Sequence, residues 1–136
     1  LLPPDKDPTK FLVGWSGLGA KVSELYTGKE LIISPQYQVS AELAFYVKGN
    51  PRTYCINLGR RMNQYDLWKE GMKNYLGKDA IFVSVSPAPP KVLSAFDGII
   101  TQEVYKVFWR GKEVREFYIY KLKNYKGLEE EMPTGY

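Results

Sequence analysis

Short, nearly continuous apolar runs at residues 31–33, 53–58 and 80–85 alternate with stretches whose apolar residues recur at helical spacing. No other feature constrains the fold as much. Runs of this length are too short for buried helices and suit strands covered on both faces, as in a parallel sheet. Helices between parallel strands must cross over the sheet, and such crossovers are right-handed. The order therefore predicts an α/β domain.

The punctuation agrees. Trp15, Leu18, Val22 and Leu25 share one face of a first helix that Gly28 can stop, while Gly17 and Gly19 weaken its start. Ser34 as N-cap and Pro35 at the first helical position, with Gly49 and Pro51 closing, predict a second helix over 35–48 with a core stripe of Val39, Leu43 and Val47. Tyr65, Trp68, Met72 and Tyr75 or Leu76 predict a third helix closed by Gly77, with Asn63 and Asp66 resembling a capping pair. One short helical turn fits 91–96. From residue 99 the pattern changes to two alternating strands, 101–109 and 113–122, joined through Arg110, Gly111 and Lys112 as a hairpin. The expected architecture is a small three-layer sandwich with a parallel central sheet and an added antiparallel C-terminal hairpin. Residues 1–127 form one domain in this reading, and 128–136 an acidic tail without core residues.

At 136 residues the chain can bury a sizeable core. Nineteen Lys and Arg against 15 Asp and Glu give a formal charge of +4, spread along the chain rather than gathered in a patch, so nucleic acid is not the expected partner. The absence of histidine excludes Ser-His and Cys-His nucleophile pairs, and the single Cys55 excludes an internal disulfide and thiolate clusters. Cys55 is expected to pack as a small hydrophobe. No apolar stretch reaches the roughly 18 residues that span a bilayer. The opening Leu1-Leu2-Pro3-Pro4, without an initiator methionine, suggests a piece cut just after a preceding element.

In an open parallel sheet, ligands bind beyond the carboxyl ends of the strands. Three loops fall there: one with Gln36 and Tyr37, one over 57–66, and one over 84–90. The second is the richest. Arg60 and Arg61 suit phosphate or carboxylate, Asn63 and Gln64 suit hydroxyls, Asp66 is an acceptor, and Tyr65 and Trp68 offer stacking surfaces. The same arginines could equally solvate a loop or pair with Glu42 or Asp66, and Trp68 could be core. Glu42, within an apolar helix, has two readings, a buried carboxylate with a role or a residue of the solvated face. The Gly14-x-x-Gly17-x-Gly19 spacing opens the wrong element for a phosphate loop. Tyr118 and Tyr120 share a strand face, which fits a cross-strand aromatic cluster better than a sugar platform.

The runs Tyr37-Gln38-Val39-Ser40-Ala41-Glu42-Leu43-Ala44-Phe45-Tyr46, Asn57-Leu58-Gly59-Arg60-Arg61-Met62-Asn63-Gln64-Tyr65-Asp66-Leu67-Trp68 and Gly77-Lys78-Asp79-Ala80 resemble the C-terminal region of bacterial members of the protein O-mannosyltransferase and aminoarabinose transferase superfamily. Asp7-Pro8, Gly14-Trp15 and Phe117-Tyr118-Ile119-Tyr120 extend the likeness along most of the chain. The resemblance implies a multi-span membrane glycosyltransferase that moves a sugar from a polyprenyl-phosphate carrier to an acceptor outside the cytoplasm. This chain would be its extracytoplasmic domain, without the catalytic acidic residue and without a cofactor. Its implied partners are the membrane-spanning part of the same protein and a glycan, lipid-linked sugar or acceptor. Relatives often carry an acidic and a basic residue before the Tyr-Gln pair, where this chain has Pro35 and Gln36. The alternative from composition is a free-standing nucleotide- or nucleic-acid-binding module, motivated by a pI of about 9.0 and the basic, aromatic loop.

Overall fold

The computed structural model describes residues 14–56 and 71–128. Along the chain run α1 (Trp15–Leu25), β1 (Leu31–Ser34), α2 (Tyr37–Tyr46), β2 (Thr53–Cys55), a 3-10 turn (Lys73–Tyr75), β3 (Ala80–Ser84), a one-turn α3 (Pro90–Leu93), and the long strands β4 (Phe96–Trp109) and β5 (Lys112–Tyr125). The five strands form one mixed sheet in the order β2-β1-β3-β5-β4. β1 is parallel to both β2 and β3, and β5 is antiparallel to β3 and to β4. The expected small α/β fold with a C-terminal hairpin is present.

Every residue of β1 and β3 is buried, as their unbroken apolar sequence requires. One face of the sheet, built from Ile32, Ile81, Val83, Phe117 and Ile119, packs against Trp15, Leu18 and Val22 of α1 and Val39 and Leu43 of α2. The opposite face, with Leu31, Ile33, Phe82, Tyr120 and Leu122, is covered among the described residues by Met72, Tyr75, Val92 and the ends of the hairpin. Residues 71 and 72 are helical and lead into the 3-10 turn, so the end of the expected third helix is seen; its earlier part lies outside the described residues.

The glycines of α1 have a packing reason. A Cβ on Gly19 would strike the Cβ and carbonyl of Tyr46, so this glycine sets how closely α1 and α2 approach. Ser23 reinforces the same contact, its hydroxyl donating to the Gly19 carbonyl at 2.7 Å and accepting the Lys48 N–H at 2.9 Å. At the far end of α1, Lys121 of β5 donates to the Leu25 carbonyl at 3.1 Å and pairs with the buried Glu30 at 3.1 Å. A cation placed on terminal helix carbonyls also suits the helix dipole.

Several expected bounds shift. The second helix begins at Tyr37 rather than at Pro35, because Ser34 completes β1 and Gln36 becomes the cap. The hairpin strands are longer than 101–109 and 113–122, since pairing continues from Ile99 with Leu122 to Phe96 with Tyr125 past an irregularity at Ile100. Arg110 and Gly111 alone form the turn, both with positive φ (54° and 81°), the geometry that lets a two-residue turn follow the strand twist. Leu128 is no part of a coreless tail. It is buried beside Tyr125, whose hydroxyl accepts the Leu128 N–H at 2.9 Å. Residues 129–136 lie outside the described part.

Candidate functional site

The chain leaves β1 toward β2 through α2, and β3 lies on the other side of β1 from β2. The carboxyl ends of β1 and β3, Ser34 and Ser84, therefore flank a topological switch point, where sheets of this kind open a crevice. Here the crevice is bridged. The Gln36 side-chain oxygen accepts the Val85 N–H at 3.2 Å and lies 3.4 Å from the Ser34 hydroxyl, which accepts the Gln36 N–H at 3.2 Å. Tyr120 supports the neighbouring loop, its hydroxyl accepting the Ala88 N–H at 3.0 Å.

The open ground lies on the outer flank of α2 and β2. A pocket of about 280 Å³ is lined by Tyr37, Ser40 and Ala41 of α2 and by Arg52, Thr53, Tyr54 and Cys55. Its floor is settled internally: the Thr53 hydroxyl donates to the Ser40 carbonyl at 2.6 Å and lies 2.9 Å from the Ser40 hydroxyl. The rim is exposed, with Tyr37 at 74% exposure and the Arg52 guanidinium 5.5 Å from the centre of the Tyr54 ring. Tyr54 itself is buried and stacks edge-on with Tyr75 at 6.1 Å. Burial pushes its hydroxyl pKa up, the neighbouring Tyr75 adds to this, and Arg52 opposes it. An aromatic face beside a guanidinium and hydroxyls can hold the apolar face and the hydroxyls of a sugar, or an anionic group.

Of the residues singled out in the sequence, the structure brings Tyr37 to this rim and gives Gln36 the bridging role. Glu42 is half-buried and faces Arg115; burial lowers the pKa of that guanidinium while the Glu42 carboxylate opposes the shift. Arg115 also lies 4.7 Å over the ring of Trp15, so Glu42 belongs to a structural cluster between helix and hairpin. Arg60, Arg61, Asn63, Gln64, Tyr65, Asp66 and Trp68 lie outside the described residues. Arg52 and Thr53 were not singled out in the sequence, where they stand at the start of a short run read only as a strand. Tyr118, which donates to Glu116 at 3.0 Å, and Tyr120, 5.9 Å from Phe82, belong to the aromatic packing of the sheet.

Among the described residues no group of three or more Cys, Asp or Glu side chains could hold a metal ion, and no helix is long and apolar enough to cross a membrane. No protein-family model, curated protein or solved structure matches the chain.

Proposed function

We propose that this chain is a non-catalytic extracytoplasmic domain of a membrane glycosyltransferase that uses a polyprenyl-phosphate sugar, and that its α2–β2 flank holds a glycan, the acceptor or the sugar end of the carrier. The family reading rests on the residue runs quoted above. The observation that supports a binding role is the pocket of about 280 Å³, where Tyr37 and Arg52 stand exposed beside Tyr54. Chemistry would come from the membrane-spanning part of the protein, the domain's other partner.

Amide chemical-shift titration of the chain with mannose oligosaccharides, and with a short-chain polyprenyl-phosphate mannose in micelles, tests this. Saturable shifts at Tyr37, Ser40 and residues 52–55, lost in Tyr37→Ala, are expected. Their absence with every sugar probe removes the binding role. A gene whose upstream reading frame encodes no membrane spans removes the glycosyltransferase reading altogether.

A further inference from the structure

The pocket between α2 and β2 has an unbalanced chemistry. Arg52 is the charged group of its lining, and no carboxylate or side-chain amide stands beside it there. The first turn of α2 adds no acidic residue. The described ion pairs join Lys21 to Glu103, Lys106 to Glu113, Lys121 to Glu30 and Lys126 to Asp97, none of them in this lining. Arg52 is exposed, and its described partner is the Tyr54 ring, 5.5 Å from the guanidinium. A ring face orients a guanidinium without neutralising it. The backbone on both sides of Arg52 is tied to α2: the Asn50 side chain donates to the Phe45 carbonyl at 2.7 Å, and the Thr53 hydroxyl donates to the Ser40 carbonyl at 2.6 Å. Since the Thr53 hydroxyl has a single hydrogen, the 2.9 Å contact between the two hydroxyls is donated by Ser40. Both hydroxyl hydrogens are thereby used within the fold.

We infer that this pocket selects an acidic sugar, one that carries a carboxylate or a phosphate group, over a neutral one. The inference rests on the binding role proposed above and specifies its ligand. The hydroxyls of a neutral sugar need acceptors as well as donors, and the side chains that accept most strongly, carboxylates and amide oxygens, are missing from the lining. A guanidinium instead presents a planar fork of donors that matches two oxygens of a carboxylate or of a phosphate group. Arg52 holds that fork beside Tyr54 with no carboxylate on it among the described residues, while the exposed ring of Tyr37 offers a surface for the apolar face of the sugar. No described ion pair has to break when an oxyanion binds. Lys121, by contrast, is committed to Glu30 at 3.1 Å.

Chemical-shift titrations of the chain with glucuronate, a mannose phosphate, mannose and inorganic phosphate test this. At least one of the two acidic sugars is expected to bind at least about tenfold more tightly than mannose, at the same residues, and to weaken as salt rises from about 20 mM to about 500 mM. Which of the two binds more tightly names the group that Arg52 takes. Arg52→Gln brings the acidic sugars down to the level of mannose and leaves mannose binding as it was, and Arg52→Lys, which keeps the charge without the fork, restores part of the preference. Mannose bound as tightly as both acidic sugars, or a preference that survives Arg52→Gln, overturns the inference and leaves the binding role standing. Inorganic phosphate bound as tightly as the mannose phosphate, with no preference for glucuronate, shows an adventitious ion only and overturns it as well. Shifts with none of the probes remove the binding role and this inference together.

Discussion

Glu30→Gln isolates a single buried carboxylate. Glu30 lies in the turn between α1 and β1 with its side chain 5% exposed, accepts the Thr27 N–H at 2.8 Å and the Thr27 hydroxyl at 2.9 Å, and pairs with Lys121 at 3.1 Å. Burial alone would raise its pKa; the hydrogen bonds from Thr27 and Lys121 outweigh burial and bring it from the ordinary 4.5 down to about 2. The folded state thus holds its negative charge more tightly than the unfolded state. That stabilisation is complete above the unfolded value and disappears as the pH falls through the folded one. At its full extent it amounts to about 3 kcal/mol. Glutamine preserves the shape and can still accept from Thr27 but carries no charge, and Lys121 keeps its bond to the Leu25 carbonyl. Urea unfolding of both proteins, followed by tryptophan fluorescence from about pH 7 to about pH 2, should show the variant weaker by about 2–3 kcal/mol at neutral pH and nearly equal at the acid end. Other carboxylates titrate in both proteins, so the difference between the curves carries the result. Parallel curves would refute the assignment of this acid-sensitive stability to Glu30.

Two glycines two residues apart in α1 should respond in opposite ways. Gly19→Ala must separate α1 from the backbone of Tyr46 and should cost about 1–3 kcal/mol, whereas Gly17→Ala meets only the movable hydroxyl end of Tyr105 and gains up to about 1 kcal/mol of helix propensity; thermal melting of both variants decides. Trp15→Ala removes a buried ring 5.5 Å from Phe117 and 4.7 Å from Arg115, and calorimetry should show a loss of about 3–5 kcal/mol. Leu128→Ala should cost about 2–3 kcal/mol in chemical denaturation, and a loss below about 0.5 kcal/mol would return this residue to the tail.

The interior of the fold was legible because β1 and β3 are buried on both sides, and nothing but near-continuous apolar sequence satisfies that condition. Boundaries were less legible where one residue type serves two purposes. Ser34 followed by Pro35 has the pattern of a helix cap, and the Ser34 hydroxyl does accept an N–H two residues on, from Gln36. The bond is of the expected kind, yet it closes a strand-to-helix turn, and the helix starts two residues later. The early part of β4 was hidden because Asp97 and Gly98 break the apolar alternation. Asp97 is held at the strand by Asn124 and by Lys126 at 3.4 Å, partners 27 and 29 residues away. Leu128 was lost for a similar reason: three glutamates follow it, and its burial depends on Tyr125 and the sheet face beneath.

The site was less legible than the fold because its decisive contacts join residues far apart in sequence. The rule that ligands bind beyond the carboxyl ends of parallel strands pointed to Gln36 as a recognition residue. In the folded chain the same amide reaches the Val85 N–H, 49 residues away, and closes the crevice it was expected to serve. A ligand entering between β1 and β3 would have to replace that bond and the one between Ser34 and Gln36, leaving a buried hydroxyl at the end of β1 in need of a partner. The flank of β2 carries no such penalty, since Ser40 and Thr53 already satisfy each other and the groups left open, Tyr37 and Arg52, are exposed. Exposed aromatic and guanidinium surface can be covered without breaking any internal hydrogen bond described there. The binding role proposed above therefore falls not to the centre of the sheet but to the side of α2, where the helix supplies a rigid base and β2 is, among the described residues, the end strand of the sheet.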